Sequence, residues 1–145
     1  METPLENLEP KSLWRHFAAL SAIPRASTKE AAARDYILAV AARLGLEAIQ
    51  DGVGNVVIRK AARPGRERAI AAALQGHLDM VCEKNEGTAH DFDTDPIRLI
   101  RDGDWLTADG TTRGVGQCLP VRFMIDSCRG KAPCHRDSTS SAAFA

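Results

Sequence analysis

The sequence lacks most of the features that would send it out of the cell or into a membrane. No apolar run approaches the ~20 residues of a membrane span. The first ten residues carry three Glu and two Pro instead of the basic start and apolar stretch of a secretion signal. There is no net charge either, since 19 Lys and Arg balance 19 Asp and Glu. No overall field therefore points to nucleic acid or to an anionic membrane surface. Cys82, Cys118, Cys128 and Cys134 show no C-x-x-C spacing and no paired histidines, so they do not read as a zinc site; free thiols are expected. No Glu occurs beyond Glu86. What remains is 145 residues with 44% hydrophobic and 26% charged content, an ordinary composition for one globular domain with a cytoplasmic home.

Neutrality hides a division. Residues 1–112 hold 14 Lys and Arg against 17 Asp and Glu, whereas residues 113–145 hold 5 against 2. Three of the four cysteines lie in that second stretch. Its Ser, Arg and Gly content leaves only Leu119, Val121, Phe123, Met124 and Ile125 as a short apolar element, so it is expected to be poorly ordered.

The chain is organised around residues 69–81, A-I-A-A-A-L-Q-G-H-L-D-M-V. A run of small and aliphatic residues predicts a strand buried on both faces. It meets Gly76 and then delivers His77 and Asp79, which in extended chain point to the same side while Leu78 points to the other. Open α/β sheets place ligands at the carboxyl ends of their strands. There an imidazole can bind a divalent ion while a nearby carboxylate fixes its tautomer and raises its basicity. The plain alternative is a His and an Asp that face water at a strand exit.

Upstream, Leu13, Phe17 and Leu20 recur at helical spacing with Trp14 widening the stripe; His16 lies off it and is expected to be solvated. Ser27-Thr28-Lys29-Glu30 reads as a capping box, with Ser27 as N-cap and Glu30 reaching back to its N–H. The helix that follows buries Ala33, Ile37, Val40, Ala41 and Leu44 and stops at Gly45. Asp51-Gly52 signals a hairpin between strands near 46–50 and 55–59. Residues 96–100 alternate like an edge strand, and Asp102-Gly103 turns it back into Trp105-Leu106-Thr107. Between the two parts lies an acidic loop, 83–95, with His90-Asp91-Phe92-Asp93. His90 among acids invites reading as a second metal cluster, but loops of this composition are usually solvated. The order of elements predicts an α/β fold, with a sheet whose central strand carries the site and whose first helices cover it.

Taken together, L-Q-G-H-L-D-M-V, K-N, T-x-H-D-F, D-P-I, D-G-x-W-L and A-D-G-T-T resemble the aminoacyl-histidine dipeptidases. These are cytosolic non-specific, Xaa-His dipeptidases of the dinuclear zinc aminopeptidase-like superfamily. L-x-P-x-x-L-W-R-H-F-x-x-L-x-x-I-P-R-x-S and D-x-x-G-N-V-V-I-R fit the same family, so the resemblance runs from residue 8 to residue 112. It implies an α/β fold, specifically a truncated N-terminal portion of a zinc-peptidase-like catalytic domain with a mixed β-sheet flanked by helices. It also implies two zinc ions sharing a bridging carboxylate and water, a separate Glu as general base, dipeptide substrates and a homodimeric intact protein. The metal-binding histidine of H-x-D carries over to His77, and the aspartate that orients it carries over to Asp79. The His90 loop is a family hallmark to which no catalytic role is carried.

The resemblance stops at Thr112. Where the family continues L-G-A-D-N-G-x-G, with the metal-bridging Asp, this chain reads Arg113-Gly114-Val115-Gly116-Gln117-Cys118-Leu119-Pro120. The general-base Glu, the other ligands and the second, dimerising domain also have no counterpart. The chain therefore divides into residues 1–112, a partial metallopeptidase domain, and 113–145, a divergent tail. A frame change, a pseudogene product, a sequence error and a lineage-specific tail all fit such a break. The expectation is a protein with at most weak zinc binding and no activity alone, the alternative to an enzyme being a remnant that at most binds a partner.

Overall fold

The computed structural model describes residues 4–112 and, for its backbone, the strand Ser138–Phe144. Two helices come first, α1 (Lys11–Ser21) and α2 (Ala31–Arg43). Five strands follow within the first 112 residues, β1 (Glu47–Gln50), β2 (Val56–Arg59), β3 (Ile70–Gly76) and the pair β4 (Leu99–Asp102) and β5 (Trp105–Ala108), and β6 is Ser138–Phe144. The main sheet has the order β1-β2-β6-β3. It is mixed: β1 with β2 and β2 with β6 are antiparallel, while β3 with β6 is parallel. β4 and β5 form a separate antiparallel ribbon. The architecture is α/β with a mixed sheet and packed helices, as the sequence predicts. Of the tail, expected to be poorly ordered, residues 138–144 instead form β6, paired with β2 and β3. The rest, with its apolar stretch at 119–125 and the thiols of Cys118, Cys128 and Cys134, lies outside the described residues.

α2 follows its apolar spacing closely. Ala33, Ile37, Val40 and Ala41 are buried, and the last three form the larger core with Leu20, Val56, Ile58 and Leu78. Full burial of a side chain such as Ile37 contributes about 1.5–3 kcal/mol. The helix ends as Gly45 predicts. Gly45 takes φ +67, its N–H donates to Ala42 O at 3.0 Å, and the Leu46 N–H donates to Ala41 O at 3.0 Å. Those paired bonds satisfy carbonyls that the helix leaves open, and glycine takes the left-handed position without a Cβ penalty.

The helix start differs from the capping box. No side chain caps α2, and its N-cap position is Glu30. Glu30 Oε1 accepts from the Thr28 N–H at 2.6 Å, one residue beyond the expected Ser27. Ser27 turns elsewhere, to Asp79. Forgoing a hydroxyl cap costs roughly 1 kcal/mol, and a charged acceptor makes a stronger bond than a helix N–H does.

His16 is the second difference. It is 1% exposed, not solvated, and its Nδ1 lies 2.5 Å from the Tyr36 hydroxyl of α2. Being next to Phe17 and four residues from Leu20 carries it inward, and Tyr36 supplies the polar partner that a buried ring needs. A smaller core of Leu5, Phe17, Met80 and Ile97 completes the interior, with Trp14 packed edge-on to Phe17 at 5.6 Å.

β3 corrects the expectation of a strand buried on both faces. Ile70 is 85% exposed, and Ala71, Ala73 and Gln75 are exposed as well. Ala72 and Leu74 are half-buried and Gly76 is buried. The alternation is that of a sheet with one packed face. The continuous apolar run, residues 69–74, misleads because four of its members are alanines, whose small side chains demand little burial. The first hairpin also opens wider than a two-residue turn, since Gln50 pairs with Val56. The second is tight, with Asp102 opposite Trp105 and Gly103 at φ +58.

Candidate functional site

Beyond the end of β3 the next four residues alternate in burial. Leu78 is 7% exposed in the larger core and Met80 is 3% exposed in the smaller one. His77 and Asp79 take the opposite side, with side chains 42% and 33% exposed. The two apolar residues thus anchor the segment in both cores and hold the two polar ones outward.

His77 Nδ1 lies 2.6 Å from Asp79 Oδ1. The other oxygen, Oδ2, accepts from the Ser27 hydroxyl at 2.6 Å. Asp79 is held below the usual carboxylate range, first by the Ser27 hydrogen bond and then by the one from His77. A carboxylate that stays ionised accepts Nδ1–H, which leaves Nε2 as the nitrogen with a lone pair to donate.

Ser, His and Asp are also the residue types of a hydrolytic triad, but the order of contacts is different. A nucleophilic serine gives its proton to the imidazole, and the carboxylate stands behind the ring. Here the hydroxyl donates to the carboxylate, so Ser27 is not activated as a nucleophile. The chemistry of the cluster is that of an oriented metal donor. The donor set fits one ligand position, because His77 has a free ring nitrogen and both Asp79 oxygens are engaged in holding it. Among the described residues no group of three or more His, Cys, Asp or Glu is placed to hold an ion.

The segment carrying Ser27 is fixed against the site strand. The Met80 N–H donates to Arg25 O at 3.0 Å, and Ala26 and Met80 form a parallel bridge. Arg25, 1% exposed, donates from Nη1 to Leu20 O at 3.2 Å and reaches Met80 Sδ at 3.7 Å. Sequence reasoning missed Ser27 because the capping pattern accounted for it locally, and a partner 52 residues away leaves no local signal.

The aspartates of the acidic loop are engaged within the loop and by Lys29. Asp91 accepts from the Asp93 N–H at 2.9 Å, and Asp95 accepts from the Asp91 N–H at 2.8 Å. Lys29 bridges to Asp93 at 2.7 Å, and Lys84 donates to the His90 carbonyl at 2.7 Å. His90 packs its ring edge-on against Phe92 at 4.5 Å. Cys82 is an exposed free thiol pushed up by desolvation, with Asp93 adding to the effect. No helix among the described residues is long and apolar enough to cross a membrane.

The chain as a whole is similar to known proteins. The chain is 44% identical over 126 residues to the cytosol non-specific dipeptidase of Escherichia coli K12, a match covering 84% of this chain and 26% of that protein. It superposes on the crystal structure of aminoacylhistidine dipeptidase from Vibrio alginolyticus with a TM-score of 0.85 and 35% identity, covering 97% of this chain and 28% of that one. The aminopeptidase PepT of Bacillus cereus shares the fold at a TM-score of 0.72 and 17% identity, over 92% of this chain and 35% of that one. No protein-family model matches. The chain thus spans about a quarter of the length of the two dipeptidases it matches. It is homologous to their N-terminal part.

Proposed function

We propose that this homologue of the dipeptidase N-terminal region supplies one metal-binding imidazole, His77, and the acid that orients it, Asp79, to a metal-dependent dipeptidase site. The observation carrying this reading is the 2.6 Å contact between His77 Nδ1 and Asp79 Oδ1 at the end of β3. A divalent ion, zinc in the family the sequence resembles, when bound supplies Lewis acidity toward a scissile carbonyl and lowers the pKa of water. The chain's own residues do the positioning. Asp79 keeps the proton on Nδ1 and stabilises the positive character the ring acquires when Nε2 donates. Ser27 engages the second carboxylate oxygen, so Asp79 has one oxygen left for the ring. The substrates on this reading are dipeptides of the Xaa-His type, the intact protein is a cytoplasmic homodimer, and two zinc ions act together.

The 145-residue chain by itself does not turn over dipeptides on this reading. Support comes from residues 113–120, R-G-V-G-Q-C-L-P, at the position where the resembled family has the metal-bridging Asp. Hydrolysis needs an activated water and a base to take its proton, and losing members of such a unit costs orders of magnitude.

The test replaces the corresponding N-terminal region of the Escherichia coli dipeptidase with residues 4–112. The chimera is expected to hydrolyse β-Ala-His and other dipeptides in a chelator-sensitive way, and the 145-residue chain is expected not to. Chelator-sensitive turnover by the chain alone would overturn its inactivity. A folded chimera that binds no metal would overturn the site. The nucleotide sequence around codon 113, read in all three frames, separately tests the origin of the break, which a frame encoding L-G-A-D-N would identify as a frame change.

A further inference from the structure

The geometry points to Ser27 as a positioning residue: its hydroxyl clamps Asp79 Oδ2 and thereby fixes the tautomer of His77 as Nδ1–H with Nε2 bare. Three observations carry this, and the proposal deepens the reading of His77 as a metal donor.

The first is connectivity. Asp79 is bonded on one oxygen by Ser27 and on the other by His77, both at 2.6 Å. A carboxylate held at both oxygens has lost its freedom to rotate about the Cβ–Cγ bond. The plane in which it receives the imidazole proton is then set by Ser27. Without the hydroxyl, Oδ1 and Oδ2 become interchangeable and the ring's preferred partner is no longer fixed.

The second is the turn that delivers the hydroxyl. Thr28 takes φ +73, the only non-glycine residue at positive φ among the described residues. A β-branched residue there is a true outlier, and such strain persists only where the surroundings impose it. Here they do so on both sides. The Lys29 N–H donates to Ala26 O at 2.8 Å across the turn, and the Thr28 N–H donates to Glu30 Oε1 at 2.6 Å. The third is what Ser27 forgoes, since α2 has no side-chain cap although a cap-type serine lies just upstream of it. Glu30 is spent on the strained turn and Ser27 on the carboxylate, so the local motif serves the site instead of the helix.

The experiment compares Ser27→Thr with Ser27→Val in the 145-residue chain. The two side chains have nearly the same shape and differ in the hydroxyl, so a packing role moves both alike. Ring nitrogens are read by long-range proton–nitrogen NMR with labelled histidine at about pH 8, where a typical imidazole is neutral. The His77 signals are assigned by their loss in His77→Gln, and amide spectra check that each variant is folded. The unsubstituted protein and Ser27→Thr are expected to show His77 mainly as Nδ1–H. Ser27→Val is expected to lower the ratio of Nδ1–H to Nε2–H by roughly two- to tenfold, the equilibrium equivalent of one hydrogen bond.

An unchanged ratio in Ser27→Val overturns the proposal, as does an equal loss in both variants. Because this measurement uses no metal, it separates from the metal reading. If His77→Ala in the chimera leaves the metal content intact, the donor assignment falls and the Ser27 result stands on its own.

Discussion

Asp51 and Asp79 are both carboxylates held below the usual range by hydrogen bonds, yet they do different things. Asp51 sits in the β1–β2 loop and is bonded entirely by its neighbours. It accepts from the Val53 N–H at 3.0 Å, the Asn55 N–H at 2.8 Å and the Asn55 side chain at 2.7 Å. Asp79 accepts from His77 two residues back and from Ser27 on a different segment. The first network closes a loop on itself. The second ties two distant segments and presents an imidazole. A depressed carboxylate therefore marks hydrogen-bonded surroundings in both places, and only the identity of the donors separates a structural from a functional role.

Removing the imidazole has the largest expected effect. In the chimera, His77→Ala is expected to abolish chelator-sensitive dipeptide hydrolysis, a loss of orders of magnitude, and to lower the bound metal measured by elemental analysis. Full activity after that change would put Asp79 in the same structural class as Asp51.

Next in size is Asp79→Ala in the same background. An orienting partner typically contributes ~10–100-fold to metal affinity or activity. Turnover should fall within that range, with metal content reduced less than in His77→Ala. Equal losses from the two substitutions would mean that Asp79 itself ligates.

How much of this was legible in the sequence follows the same local-versus-distant divide. The buried face of α2 and its stop at Gly45 were legible because spacing and a left-handed glycine are local signals. The pairing of His77 with Asp79 was legible from strand alternation. His16 was not, because its burial depends on Tyr36 from another helix. The exposed face of β3 was not, because an alanine-rich run looks the same whether one face or two are covered. Ser27 was assigned to the wrong partner because a capping motif explains a serine at that spacing without reference to residue 79.

On the Asp51 side, the loop's backbone matters more than its charge. Gly54 takes φ +100, and a Cβ there would run into the Arg34 guanidinium. The Arg34 tip is flexible and can move, but the backbone conformation remains unfavourable for any other residue. Gly54→Ala should destabilise the protein by about 1–3 kcal/mol, read as a lower urea midpoint with an unchanged slope. No such shift is expected at the His77–Asp79 pair, so on the proposed reading the metal content of the Gly54→Ala chimera should be normal once it is folded.

The smallest expected effect is that of Asp51→Asn, and its pH dependence is what identifies it. Asp51 is exposed, and its carboxyl is held low chiefly by the Asn55 side chain. Because the folded state lowers the pKa, it favours the ionised form. The resulting stability is fully present above the unfolded value of about 3.9 and is lost as pH falls through the lower folded value. Asn keeps an acceptor oxygen for the two backbone amides that Oδ1 serves but carries no charge, and its amide nitrogen cannot accept from the Asn55 side chain. The unsubstituted protein should therefore unfold at a slightly higher urea concentration than Asp51→Asn at neutral pH. The gap should hold down to about pH 5 and close progressively below pH 4 as Asp51 protonates. Added salt should narrow it only slightly, because the donors are neutral amides and not distant cations. A gap that persisted unchanged into strong acid would mean that the substitution acts through loop shape, and the parallel drawn between the two carboxylates would fail on the Asp51 side.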